Sequence, residues 1–236
     1  MSIYPILGLL LFYFLPILSS FFICNLFSGP APINFFQYWL ARLLGSAFLA
    51  MFMHVLIVYC GPFHSAFYFY AANAVLLCLS YYFKKQSGAP SYPWREMLKW
   101  ESPFLIIYVL ALLSFAFHPH LIYGEKAPDF QTLNFFYRYM GGAITNPLAG
   151  GSPLRYYYLG HFLVGLWGKA SFLAPDIAYF AALSLWCSFF VASVSLLLVA
   201  FEWSWKMAVP ASCALLLSSN LAFVSKFISG AINFTT

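Results

Sequence analysis

The stretch DIAYFAALSLWCSFFVASVSLLLVAF, residues 176–201, decides the class of fold. Its only charged residue is the aspartate at its first position. A helix needs about 20 mostly apolar residues to cross the hydrocarbon core of a bilayer, so this segment predicts a membrane-spanning helix. Five further apolar stretches predict the same: 3–27, 36–60, 65–83, 103–118 and 207–229.

The composition agrees with a membrane protein and excludes a soluble domain. Hydrophobic residues make up 63% of the chain and charged residues 7%, whereas soluble domains carry about 25% charged residues. The net charge of +5 is spread over loops, so it does not form the basic stripe of a nucleic-acid-binding protein. We therefore expect an all-α, multi-pass bundle of about six spanning helices in the cell membrane, with no nucleic-acid partner.

The cations orient this bundle. Lys84, Lys85, Arg95 and Lys99 share the short loop 84–102, which the positive-inside rule places in the cytoplasm. The long loop 119–175 is then extracytoplasmic, and the 202–206 turn is cytoplasmic. Arg42 lies near the start of the second span, and we expect it to snorkel to the interface.

Two helices are predicted inside loop 119–175. The first follows Pro128 and has apolar residues at 130, 133, 136, 137 and 140, which is helical spacing with a polar opposite face. The second starts after Pro153 and runs to about Trp167. Amphipathic helices of this kind lie in the membrane interface rather than cross it.

Two carboxylates are the first candidates for chemistry. The chain has six acidic residues, and Glu125 and Asp129 lie four apart in the outer loop. Asp129 falls at the start of a predicted helix, where the backbone dipole favours the ionised form, so it suits a general base. The simpler interpretation is that Asp129 caps the helix and that Glu125 pairs with Lys126 or Arg155.

A divalent cation is a possible cofactor of this loop. Glu125 and Asp129 offer the oxygen ligands that hard cations prefer, and His118 and His120 flank a proline nearby. The spacing fixes no third protein ligand of the kind that zinc sites use. Interfacial histidines without a ligand role are the alternative interpretation.

The segment RYYYLGH, residues 155–161, is the second candidate. In a helix, Tyr157, Tyr158 and His161 share one face. Arg155 would lie near the helix N-terminus, which already favours anions, so the group suits a phosphate or pyrophosphate head group. An aromatic belt with a snorkelling arginine is the alternative. The preceding Gly150 and Gly151 either let backbone approach a ligand or form a turn.

These motifs carry a family resemblance. GEKAPDF at 124–130, AGG at 149–151 and RYYYLGHF at 155–162 resemble the "YYY" membrane proteins, the DUF2298 family. That family in turn resembles the GT-C superfamily of glycosyltransferases, which use polyprenyl-phosphate sugars as donors. The chain departs from the family pattern at Pro128 and Leu148, which leaves the shape of the loop open.

The resemblance implies a function and assigns roles. The protein would transfer a sugar from a polyprenyl-phosphate donor to an acceptor on the extracytoplasmic face, with Asp129 as catalytic base and Glu125 as second carboxylate. Residues 1–95 would form an added three-span bundle, and 96–236 would begin a GT-C-like module. The residues implied to bind the donor are Lys126, Arg138, Gly150, Gly151, Arg155, Tyr156, Tyr157, Tyr158 and His161.

Other functions stay open at this stage. Family members usually carry more spans, so a chain that stops at Thr236 would be a fragment, a truncated product or half of a split enzyme. A lipid-phosphate-binding or assembly subunit that needs a further membrane subunit for catalysis is the second hypothesis. A transporter is the third, and it predicts charged or broken helices at mid-membrane.

Overall fold

A computed structural model describes residues 4–27, 33–60, 65–87, 94–117, 127–138 and 158–216. Those residues form helices joined by turns, and they contain no strand. The helices are α1 (Tyr4–Phe27), α2 (Phe35–Cys60), α3 (Ser65–Ser87), α4 (Trp94–Phe117), α5 (Ala127–Arg138), α6 (Tyr158–Ala170), α7 (Pro175–Ala200) and α8 (Trp205–Leu216). The all-helical prediction is confirmed for this part of the chain.

Three stretches of the described residues are long and apolar enough to cross a membrane: Phe35–Met53 in α2, Arg95–Phe115 in α4 and Pro175–Ala200 in α7. The described parts of α1 and α8 include shorter apolar helices, Tyr4–Ile17 and Trp205–Leu216. Five of the predicted spans coincide with α1, α2, α3, α4 and α7, and the described part of the sixth, 207–229, lies in α8. The total of six crossings stays a prediction.

Helix α4 begins earlier than predicted. The predicted span begins at Pro103, but α4 starts at Trp94 and continues through the proline. A proline inside a helix removes a hydrogen bond to the preceding turn, and two side chains donate to carbonyls there. Ser102 Oγ donates to Lys99 O (3.0 Å) and Trp39 Nε1 donates to Trp100 O (3.4 Å).

The core has two parts, one toward each end of the bundle. Phe35 of α2, Trp100 of α4 and Val209 of α8 pack together at one end. Phe12 of α1 and Ala178 of α7 pack with α5 and α6 at the other end. Helices α5 and α6 therefore lie opposite the starts of α2 and α4. This agrees with the predicted topology, while the side that faces the cytoplasm stays a prediction.

Small residues let α7 pack closely against α4. Ser188 of α7 is fully buried, and its Oγ donates to Phe104 O of α4 at 2.8 Å. Small side chains at helix contacts are typical of membrane bundles. The hydrophobic effect does not drive helices together within lipid, and small residues allow the close van der Waals packing that does.

Two helix ends carry non-glycine residues in the left-handed region. Phe172 (φ 56°) follows α6, and Glu202 (φ 66°) follows α7. In each turn the next residue donates back into the helix: Leu173 N to Gly168 O (2.9 Å) and Trp203 N to Leu198 O (3.1 Å). This is the Schellman pattern, in which glycine is the usual residue.

Replacing Glu202 with glycine should stabilise the protein. The side chain is exposed, so little packing is lost, and removal of left-handed strain contributes about 1 kcal/mol. Thermal unfolding in detergent should shift upward by about 2–4 °C for a chain of this size. Glu202→Ala is the control, because it removes the charge and keeps the strain. Equal shifts in both variants would contradict the explanation.

Candidate functional site: the junction of α5, α6 and α7

Helix α5 is fixed to the bundle through its last two turns. Phe136 packs edge-on against Phe162 of α6, with ring centroids 5.5 Å apart. Tyr137 passes over Gly168, and its Oη donates to Leu173 O at 3.1 Å. A Cβ built on Gly168 would lie 1.7 Å from that Oη, so only glycine fits there.

Helix α6 runs antiparallel along the first part of α7. A Cβ on Gly168 would lie 2.7 Å from Ala178 Cβ, and one on Gly160 would lie 4.0 Å from Trp186. Both pairs are eight residues apart along their helices, so α6 follows α7 in the opposite direction, and the second contact is made by the outer edge of the Trp186 ring. The predicted interfacial orientation of α6 stays a prediction.

The predicted catalytic carboxylate lies in the first turn of α5. The helix begins at Ala127, so Pro128 is its second residue and Asp129 its third. Proline is favoured in a first helical turn, and the backbone N–H groups there have no partner within the helix. The predicted position of Asp129 at a helix start is confirmed, and its catalytic role stays a prediction.

Of the predicted donor-binding residues, three fall within the described helices. Arg138 is the last residue of α5 and is exposed. Tyr158 is the first residue of α6, and His161 is half-buried in the first turn of that helix. The remaining predicted site residues lie outside the described residues: His118, His120, Glu125, Lys126, Gly150, Gly151, Arg155, Tyr156 and Tyr157.

The junction is a poorly solvated environment. Burial lowers the pKa of Lys169, in the last turn of α6. Burial, and then the nearby charge of Asp176, raise the pKa of Tyr137.

The described residues contain no group of three or more histidine, cysteine, aspartate or glutamate side chains suited to a metal ion. The predicted cation ligands His118, His120 and Glu125 lie outside those residues. A divalent cation therefore stays a prediction.

A second polar group, which sequence reasoning missed, lies inside the bundle. Arg42 of α2 is 0% exposed. Its Nε pairs with Glu101 Oε1 of α4 at 3.2 Å, and its Nη2 donates to Tyr13 O of α1 at 2.8 Å. The expectation that Arg42 snorkels to the interface is wrong, because a buried carboxylate and a carbonyl stabilise it in place.

Glu101 is the centre of this group. Tyr13 Oη donates to Oε2 at 2.6 Å, and Tyr38 Oη donates to Oε1 at 2.5 Å. Together with Arg42 they supply three donors to this carboxylate. The Arg42 guanidinium also lies over the Phe189 ring, 5.4 Å from its centroid. The group therefore links α1, α2 and α4, with α7 packed against it.

One signal in the sequence points to this pair. Charged residues within spans usually face the bundle interior and pair with one another, so Arg42 required a carboxylate partner. A span that begins at Pro103 leaves Glu101 in the predicted loop 84–102. With α4 beginning at Trp94, Glu101 lies within a helix and can meet Arg42.

Comparison with known proteins supports a membrane family. A family model described as an uncharacterized membrane protein (DUF2298) matches residues 33–233. The chain belongs to the DUF2298 family. The match covers α2 to α8, and therefore the α5–α6–α7 junction and the Arg42–Glu101 pair of this DUF2298 protein, but not Tyr13 of α1. No curated protein and no solved structure matches the chain.

Proposed function

We propose that this DUF2298 protein transfers a sugar from a polyprenyl-phosphate donor to an acceptor on the extracytoplasmic face of the membrane. Asp129 is the general base and Glu125 the second carboxylate. The observation that carries the proposal is the place of Asp129 in the first turn of α5, a helix held against the bundle by its opposite end.

That place gives Asp129 the properties of a base. The N-terminal end of a helix favours the carboxylate over the neutral acid, so Asp129 can accept a proton from an acceptor hydroxyl. Leu133 and Phe136 bury one face of α5 in the core. Catalytic groups on rigid elements keep a productive geometry better than groups on loops.

The donor phosphate would interact with cations and backbone donors near both helices. Arg138 ends α5, and the first turn of α6 presents free N–H groups beside His161. Helix N-termini bind phosphate through such groups. Lys126, Arg155, Tyr156, Tyr157 and Tyr158, with Gly150 and Gly151, complete the proposed donor site.

Asp129→Asn should lower sugar transfer at least about 100-fold, the effect of losing a positioned general base. The assay uses membranes that contain the full chain, supplied with radiolabelled polyprenyl-phosphate glucose or mannose, and measures label in the acceptor fraction. Asp176→Asn is the matched control, because Asp176 is also in the first turn of a helix and is exposed. It should leave transfer unchanged.

Transfer at the wild-type rate by Asp129→Asn would contradict the role of the base. If the purified protein binds polyprenyl phosphate but transfers no sugar, and Asp129→Asn binds equally well, the second hypothesis of a non-enzymatic lipid-phosphate-binding subunit is favoured instead.

A further inference from the structure

The turn between α6 and α7 presents an exposed phenylalanine in a left-handed backbone conformation. Phe172 is 83% exposed and has φ 56°, whereas its neighbours Ser171 and Leu173 are buried. Left-handed backbone is unfavourable for a residue with a Cβ, and an apolar ring in water forgoes the stabilisation of burial. An apolar medium around the ring would offset the backbone cost, because the two contributions are of similar size.

The first turn of α1 lies next to the α6–α7 turn. A Cβ on Gly8 would lie 2.7 Å from Ser171 O, so α1 touches the turn at that residue. Phe12, one helical turn further along α1, packs against Trp167 of α6, with ring centroids 6.1 Å apart. Helix α1 therefore runs antiparallel to α6, and its first turn extends about 5 Å beyond the level of Ser171. That first turn reads YPIL, residues 4–7, and all four side chains are exposed.

Aromatic and charged side chains lie at the same level of the bundle. Tyr70 of α3 is 39% exposed, and its hydroxyl donates to Ala170 O at the end of α6. Lys169 is half-buried, and Asp176 is exposed in the first turn of α7. Tyrosine rings collect where lipid head groups meet acyl chains, and a lysine can keep its charge near that border while its stem lies in apolar surroundings. This level of the bundle therefore fits the head-group border of a bilayer.

The equivalent turn at the other end of α7 carries a different residue. Glu202 follows α7 with φ 66° and is exposed, so it occupies the place that Phe172 has after α6. Because the two backbones are alike, the difference in side chain indicates a difference in surroundings. A carboxylate favours water, and a phenylalanine favours an apolar medium.

Lipid is the apolar medium nearest to the patch formed by Phe172 and residues 4–7. Helix α7 begins at Pro175, three residues after Phe172, and is apolar enough to cross a membrane. Residues 4–7 begin the apolar helix Tyr4–Ile17. Acyl chains that surround these two helices would therefore end within a few residues of the patch.

We propose that the α6–α7 turn and the first turn of α1 insert together into one leaflet of glycerophospholipid, with Phe172 and Tyr4 in contact with the acyl chains just below the head groups. The insertion holds the adjoining end of α5 at head-group depth. It does not depend on the proposed sugar transfer.

Collision of a spin label with two relaxing reagents tests the proposal. The five cysteines are replaced by alanine, Phe172→Cys is labelled with a nitroxide, and the full chain is reconstituted in phosphatidylcholine vesicles. Oxygen concentrates among the acyl chains, whereas a nickel chelate stays in water. Ile106→Cys is the lipid reference, because Ile106 is 58% exposed in the middle of the apolar stretch Arg95–Phe115. Glu202→Cys is the matched control in the equivalent turn.

The ratio of oxygen to nickel collisions should be higher at 172 than at 202, and lower than at 106. A ratio at 172 equal to that at 202 would place the turn in water and overturn the proposal. Low collision rates with both reagents at 172 would also overturn it, because they would assign the patch to a contact with another protein or a second copy of this chain.

A second arm keeps the natural cysteines. Phe172→Gly relieves the left-handed backbone, as Glu202→Gly does, but it also removes the ring from lipid. The midpoint of thermal unfolding in vesicles should therefore not rise for Phe172→Gly, whereas Glu202→Gly should raise it by about 2–4 °C. An equal rise in both variants would show that Phe172 gains nothing from the bilayer, and would contradict the insertion.

Discussion

Glu101→Gln should lower the free energy of unfolding by about 3–5 kcal/mol, the usual loss when one partner of a buried ion pair is removed. The substitution keeps the shape of the side chain but removes the charge that balances Arg42. It leaves a guanidinium that is 0% exposed without a counter-ion, and charges inside a membrane bundle are stable only when paired. Reversible unfolding in mixed micelles measures the loss.

The same helix provides the matched control. Glu96 pairs with Lys99 at 2.6 Å, but both side chains are exposed. An exposed pair contributes about 0–1 kcal/mol, so Glu96→Gln should be nearly neutral. If Glu101→Gln and Glu96→Gln lower the free energy of unfolding by the same amount, the buried Arg42–Glu101 pair stabilises the bundle no more than an exposed pair does. A double variant, Arg42→Met with Glu101→Met, leaves no unpaired charge but removes the acceptor of the Tyr13 and Tyr38 hydroxyls, so it should recover only part of the loss.

Gly168→Ala should lower the free energy of unfolding by about 3 kcal/mol or more, beyond the usual range of overpacking. The new Cβ would lie 1.7 Å from Tyr137 Oη and 2.7 Å from Ala178 Cβ. Tyr137 would have to leave its place and lose its hydrogen bond to Leu173 O. Because Tyr137 anchors α5, the substitution should also separate α5 from α6, which a disulfide or spin-label distance across the pair can measure.

Gly160→Ala on the same helix is the control. Its Cβ meets one atom at ordinary van der Waals distance, and alanine favours a helix over glycine by about 1 kcal/mol. It should therefore be neutral or stabilising. A loss of stability equal to that of Gly168→Ala would show that α6 tolerates no side chain at either glycine, and would contradict a specific contact with Tyr137.

The helix positions were predictable because long apolar runs have few alternatives. The helix at 176–201 could be predicted from its apolar length alone, and α7 occupies almost the same residues. Arg42 was misplaced for a physical reason: whether a charge snorkels or stays buried depends on a partner 59 residues away. The continuation of α4 through Pro103 could not be predicted either, because the side chains that donate to the carbonyls before the proline include Trp39 of α2.

The candidate site could be predicted only where neighbouring residues in the sequence determine the local structure. Pro128 marks the first turn of α5, so the place of Asp129 followed from the sequence. The packing of α6 against α7 could not be predicted from the sequence, because it depends on which residue faces Gly168. The apolar patch of Phe172 and residues 4–7 also required the contact of α1 with the α6–α7 turn, and no pattern along one helix predicts it.

The lengthwise packing of α6 on α7 bears on how the chain enters the membrane. With 13 residues, α6 is too short to cross a bilayer alone, whereas α7 has 26. The two helices should therefore partition together as a hairpin, and Tyr137 can dock only after that step.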